Sequence, residues 1–176
     1  MSIIRSITEK DFDRQETPEK WSTYNTRLGA RAILLDESSQ QIALMYVANH
    51  DYYKLPGGGV DDGEGLETAL KRELIEEVGA NLVDVISEVG QIDEYRDEWD
   101  MKSEHHCFLT KLTGPTVDPH RTDQELAHGY ETVWAKGIDE AICLVKSGNP
   151  KEYGQDFERL RELTFLEYAK NSNLIS

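Results

Sequence analysis

The chain has 176 residues, a length suited to one domain with a sizeable core. A hydrophobic fraction of 38% beside 30% charged residues is that of a soluble globular protein, and no run is apolar or long enough for a membrane span or a signal peptide. The net charge of -15 excludes a general nucleic-acid binder, which needs a basic surface, and suits a protein that gathers cations first and lets them meet anions.

In chain order, residues 1–26 are polar, with Trp21 and Tyr24 as anchors. They read as a loosely structured N-terminal extension with a short strand at Ser2 to Ile7, ahead of a single domain over 27–176. Leu28 to Leu35 reads as a buried strand ended by the turn residues Asp36 to Ser39, and Gln41 to Val47 as its returning partner. Tyr52, Tyr53 and Lys54 lead into Leu55, Pro56 and three glycines, Gly57 to Gly59, where the main chain is free to approach a ligand. Downstream, Leu82 to Ile86 and Glu88 to Tyr95 read as extended segments, Arg96 to Met101 as a polar turn and Glu104 to Leu112 as a strand. Residues 115–130 read as a polar loop, Glu131 to Ala135 as a strand carrying Trp134, and Ile138 to Lys146 and Lys151 to Lys170 as helices. Adjacent His105 and His106 point to opposite faces of their strand and are expected to be ordinary strand positions. Cys107 and Cys143 lie far apart without a CxxC pair, so neither a zinc site nor a disulfide framework is indicated, and the chain reads as cytoplasmic.

The stretch after the glycines carries the chemistry. Leu66, Ala69, Leu70, Leu74 and Val78 follow the three-and-four spacing of a buried helical stripe, and Gly79 closes that helix. On a wheel advancing about 100° per residue, Glu73 and Glu77 fall within the stripe and Glu76 at its edge. Carboxylates facing a core need a partner, because burying one unpaired costs several kcal/mol. Oxygen-only ligation suits a hard cation, Mg²⁺ or Mn²⁺. No Gly-Lys-Ser/Thr end makes a P-loop of the glycines, Asp61 to Glu64 lacks the alternating acids of an EF-hand, and no HExxH occurs.

Gly58, five residues, Glu64, seven residues, then Arg72-Glu73-Leu74-Ile75-Glu76-Glu77-Val78-Gly79-Ala80 resembles the Nudix box, with Ala80 smaller than the usual closing aliphatic. The resemblance implies an α/β Nudix fold, an α/β/α sandwich around a mixed β-sheet. It implies metal-dependent hydrolysis of a nucleoside diphosphate linked to a further moiety, with Glu73, Glu76, Glu77 and the Gly58 carbonyl as ligands of Mg²⁺ or Mn²⁺. Glu64 would support the site and pair with Arg72. One more acid outside the box, Glu125 or Glu131, is expected as ligand or general base. Tyr53, Lys54, Gly57 and Gly58 are the candidate substrate contacts, and Glu77→Gln is expected to abolish turnover with little change in thermal stability. The expected partner is a small nucleotide, with a homodimer open and no membrane. The short single-domain length leans to a (deoxy)nucleoside triphosphate or related small nucleotide, oxidised ones included. ADP-ribose, other nucleotide sugars, dinucleoside polyphosphates and a non-catalytic nucleotide sensor stay open.

Overall fold

Alternating side chains on one long strand divide this protein into two cores. On β2 (Asn25–Asp36), Ala30, Ala32 and Leu34 face one way and Ile33 and Leu35 the other. The computed structural model describes residues 2–175. Its sheet has eight strands: β1 (Ile3–Ile7), β2, β3 (Ile42–Val47), β4 (Tyr52–Lys54), β5 (Gly57–Gly59), β6 (Val83–Arg96), β7 (Met101–Leu112) and β8 (Tyr130–Ala135). The order is β1-β6-β7-β2-β3-β4, with β5 also on β2 and β8 on β3. Pairings β1·β6 and β2·β7 are parallel and the others antiparallel, so the sheet is mixed, as expected.

Helix α1 (Leu66–Val78) covers the first face, burying Ala69, Leu70, Leu74 and Val78 against Ala32, Leu34, Ala43 and Met45. Burying each leucine contributes about 1.5–3 kcal/mol. The helix ends where Gly79 adopts a left-handed φ of 75°, its N–H donating back to the carbonyls of Ile75 and Leu74. Helices α3 (Ile138–Ser147) and α4 (Tyr153–Asn171) cover the second face, where Phe157, Phe165 and Leu166 meet Ile33, Leu44 and Leu109. The short α2 (Asp123–Ala127) interrupts the expected loop of 115–130, capped by Thr122 and Glu125. Among the described residues no helix is long and apolar enough to cross a membrane.

Three expectations change in detail. The two extended segments between Leu82 and Tyr95 are one strand, β6, whose register shifts against β7 between Val85 and Ser87 and between Glu88 and Gly90. A bulge inserts a residue and interrupts the period of two, which reads in sequence as a break. The glycines at 57–59 are a short strand as well as a turn. The extension is not loose: β1 joins the sheet, Ile7 is fully buried, and Trp21 stacks on Tyr95 with ring centroids 4.1 Å apart while donating to Asp97 at 3.0 Å. Since β2 begins at Asn25, the extension and the domain share one sheet.

Candidate active site

The glycine strand β5 and helix α1 face each other, and their contact builds the site. Gly58 pairs with Ala30 on β2, and a Cβ at Gly58 would fall within the Glu73 carboxylate. Glycine here lets Glu73 lie directly on the main chain. One turn on, Glu77 is 1% exposed; its Oε2 accepts the Gly57 N–H at 2.7 Å and its Oε1 accepts from Lys54 Nζ at 3.2 Å. The site thus forms where an apolar helical stripe carries two acids into contact with backbone that has no side chains.

Arg72 ties the loop to the helix. Its Nε and Nη2 donate to the two oxygens of Glu64 at 3.1 and 3.0 Å, and Nη2 also reaches the Gly59 carbonyl at 3.0 Å. Its Nη1 donates to Glu73 at 2.8 Å and to Glu76 at 3.3 Å. The expected Glu64–Arg72 pair is therefore present, and Glu64 also accepts from the Asp61 N–H at 3.1 Å. The Arg72 hydrogen bonds, with that backbone donor, hold Glu64 below the usual carboxylate range. Burial pushes Glu73 up, and Arg72 offsets this only in part.

Glu73, Glu77 and Glu125 each offer an oxygen within 4.8 Å of the other two. Glu125 arrives from α2, far from the box in sequence. Glu76 is less buried and stays outside this group, held by Arg72. Glu131 is exposed on β8 and does not join it. Among the described residues Arg72 pairs with Glu64, Glu73 and Glu76 and Lys54 with Glu77, and three converging carboxylate oxygens are the donor set a hard divalent cation takes. The residues fit such an ion.

The expected substrate contacts divide. Gly57 and Gly58 lie at the carboxylates. Lys54 is committed to Glu77 and sits over the Tyr130 ring, 4.5 Å from its centroid. Burial disfavours its charge, but Glu77 and Tyr130 more than offset this and raise its pKa. Tyr53 points to the opposite face of β4, against Tyr46 with centroids 4.7 Å apart and against the α3–α4 core, because adjacent strand residues alternate. Two arginines were not anticipated. Arg121 Nη2 donates to the Glu77 carbonyl at 3.0 Å and to Thr132 at 2.8 Å, and Arg31 Nη1 donates to the Gly57 carbonyl. Arg31 stands at an alternation position of β2 that otherwise reads as core, which was the available signal.

The NUDIX domain family model matches residues 25–140, well over half of the chain. The chain belongs to the Nudix family. A Bacillus subtilis (strain 168) protein provisionally named 8-oxo-dGTP diphosphatase is 34% identical over 133 residues, covering 74% of this chain and 78% of its own. An RNA pyrophosphohydrolase of Campylobacter jejuni subsp. doylei is 35% identical over 131 residues, 67% of this chain and 83% of that one. The crystal structure of a MutT protein from Methanosarcina mazei Go1 superimposes with a TM-score of 0.55 at 15% identity, over 85% of this chain and 96% of that one. The fold is that of Nudix proteins, and the chain is a Nudix pyrophosphohydrolase.

Proposed function

We propose that this Nudix enzyme cleaves a phosphoanhydride of a nucleoside triphosphate or related small nucleotide, using Mg²⁺ or Mn²⁺ held by Glu73, Glu77 and Glu125 with the Gly58 main chain beside them. The observation that carries this reading is the convergence of those three carboxylates within 4.8 Å against a side-chain-free strand. The bound cation would supply the positive charge that offsets phosphate oxygens and acidifies water for attack at phosphorus. Around it, Gly58 makes room for the Glu73 carboxylate, and Gly59 leaves the backbone open for the diphosphate to approach. Arg72, anchored on Glu64, fixes the orientation of Glu73 and Glu76 directly. Glu125, the most accessible of the three acids, takes the proton of the attacking water, and Glu73 and Glu77, locked by Arg72, Lys54 and Gly57, stay in place as it does so. The Bacillus relative's name, which specifies a deoxynucleoside triphosphate, supports the triphosphate reading. The net charge of -15 speaks against a long RNA substrate.

The test is a phosphate-release screen of the purified protein with Mg²⁺ and with Mn²⁺ over nucleoside triphosphates (oxidised ones included), ADP-ribose, nucleotide sugars and dinucleoside polyphosphates. A triphosphate turned over far faster than the rest, and lost in Glu73→Gln, is the expected result. A nucleotide sugar as the preferred substrate would overturn the triphosphate reading, and turnover undiminished in Glu73→Gln would overturn the ligand assignment.

A further inference from the structure

On the α4 side of the sheet, just across Gly58 and Gly59 from the carboxylates, lies a cleft of about 120 Å³ lined by Arg27, Arg31, Arg96 and Arg161. So many arginines in one cleft are unusual in a chain with only 19 basic residues against 34 acidic ones. Two of them are matched. Arg96 donates to Glu94 at 2.9 and 2.6 Å, and Arg161 donates to Glu94 at 3.0 Å and to Glu162 at 3.1 and 2.6 Å. Glu158, the one acid on the lining, accepts from the Tyr52 hydroxyl at 2.7 Å.

The other two are matched less fully. Arg27 makes no hydrogen bond or ion pair among the described residues, and its Nη2 lies near Gly59, 3.5 Å from where a Cβ would be. Arg31 is 8% exposed; its Nη1 donates to the Gly57 carbonyl and it pairs with Glu162 at 4.0 Å, but its Nε is buried without a hydrogen-bond partner. His105 Nδ1 is likewise buried and unpartnered, standing over Gly29, where a Cβ would come within 2.6 Å of it. Gly29 therefore makes room for the His105 ring, and two buried polar atoms on the walls of the cleft lack hydrogen-bond partners.

We propose that this cleft receives a phosphoryl group of the substrate beyond the scissile diphosphate, so that the enzyme favours triphosphates and longer polyphosphates over diphosphates capped by a neutral sugar. The proposal rests on the reading of the carboxylate site as a hydrolytic centre and names what lies on its far side. Guanidinium groups match phosphate oxygens in paired hydrogen bonds, which the unpaired Arg27 is free to make, while Arg31 adds its charge and the Nε that lacks a hydrogen bond. A nucleobase fits poorly: the lining holds no Phe, Tyr or Trp for stacking, its one ring is the buried His105 imidazole, and the volume is below the roughly 300 Å³ at which pockets for larger ligands begin. A polyphosphate can pass from one side to the other at Gly59, which puts no side chain in its path.

Two measurements test it. In the first, pyrophosphate is titrated calorimetrically into the full-length protein in EDTA, where no metal holds the anion and the carboxylates repel it. Wild type is expected to bind, and Arg27→Gln to weaken binding by about tenfold or more, as loss of charge-assisted hydrogen bonds does. Arg31→Lys, which keeps the charge but removes the Nε donor, should weaken it as well, and the remote Lys111→Gln should not. No binding by wild type, or equal binding by Arg27→Gln, would overturn the proposal. In the second, the ratio of kcat/KM for a nucleoside triphosphate to that for a nucleoside diphosphate sugar is compared. Arg27→Gln should lower that ratio by about tenfold, chiefly through KM. If no nucleotide is turned over, the hydrolase reading fails while the titration still judges the cleft; if nucleotides are turned over but the ratio does not move, the cleft proposal alone fails.

Discussion

Glu77 and Lys54 neutralise one another inside the protein, Nζ to Oε1 at 3.2 Å, with side chains only 1% and 10% exposed. Neither charge has an alternative partner of equal quality, so the pair belongs to the fold as much as to the site. Replacing Glu77 by Gln strands the Lys54 ammonium, and metal-free protein should lose about 3 kcal/mol, the low end for breaking a buried pair because the amide oxygen still accepts from Gly57. This differs from the expectation of unchanged thermal stability drawn from sequence, where Lys54 was read as a substrate contact. Urea unfolding in EDTA checks it. The double variant Lys54→Met/Glu77→Gln should regain much of the stability and none of the activity.

Glu125 and Glu131 were equal candidates in the sequence, and the fold separates them. Glu125→Gln should lower kcat by about 100-fold or more, the usual scale for a general base. The substitution keeps an N-terminal cap on α2, since Gln serves the capping box as Glu does. Thermal unfolding should therefore match wild type. Glu131→Gln should retain near-normal turnover; equal losses from both variants would remove Glu125 from its assigned role.

Gly57 and Gly58 are adjacent but fail differently when substituted. At Gly57, φ is 128° and a Cβ would collide with the Ala30 carbonyl, so Gly57→Ala should cost at least about 2 kcal/mol of stability through backbone strain. At Gly58 the obstacle is the Glu73 side chain, which can swing away. Gly58→Ala should stay folded, bind Mn²⁺ more weakly and lose most of its turnover. Chemical unfolding and Mn²⁺ titration of both variants separate the two effects.

The acid branch of stability should report His105. Burial, reinforced by Arg161, pushes its pKa from 6.5 down to about 3, so it is neutral in the folded protein. The unfolded chain takes up that proton below pH 6.5 and the folded protein does not until about 3, so stability falls as pH drops through this window. Glu94 adds its own loss only below its ordinary value of 4.5: despite burial, Arg161, His105 and Arg96 hold it well below that value. Between pH 6.5 and 4.5, His105→Gln should therefore flatten the stability–pH slope, by at most about 1.4 kcal/mol per pH unit. An unchanged slope from urea unfolding at pH 6.5, 5.5 and 4.5 would mean that His105 is not held neutral.

What was legible in the sequence follows from local physics. The α1 stripe, the Gly79 cap and the inward placement of Glu73 and Glu77 depend on helical spacing alone, and they appear where spacing puts them. Glu125, Arg27, Arg31 and Arg161 reach the site region through the parallel β2·β7 pairing, the α2 turn and the docking of α4, none of which leaves a local signature. His105 was read as an ordinary strand residue, yet it stands in a buried ionic network with Arg161 and Glu94. The two shifts in β6 hid one strand as two, because a period of two cannot be followed across an inserted residue.

The parallel seating of Ile3–Ile7 on Gln91–Glu94 has a practical side. A chain trimmed to start at residue 25, where the family match begins, would bare the hydrogen-bonding rim of β6 around fully buried Ile92. Such a rim is a template for another strand, and the simplest supplier is a second trimmed molecule. Self-association seen in a shortened protein would then measure the missing segment, and the N-terminal strand is best regarded as this molecule's own guard against sticking to itself.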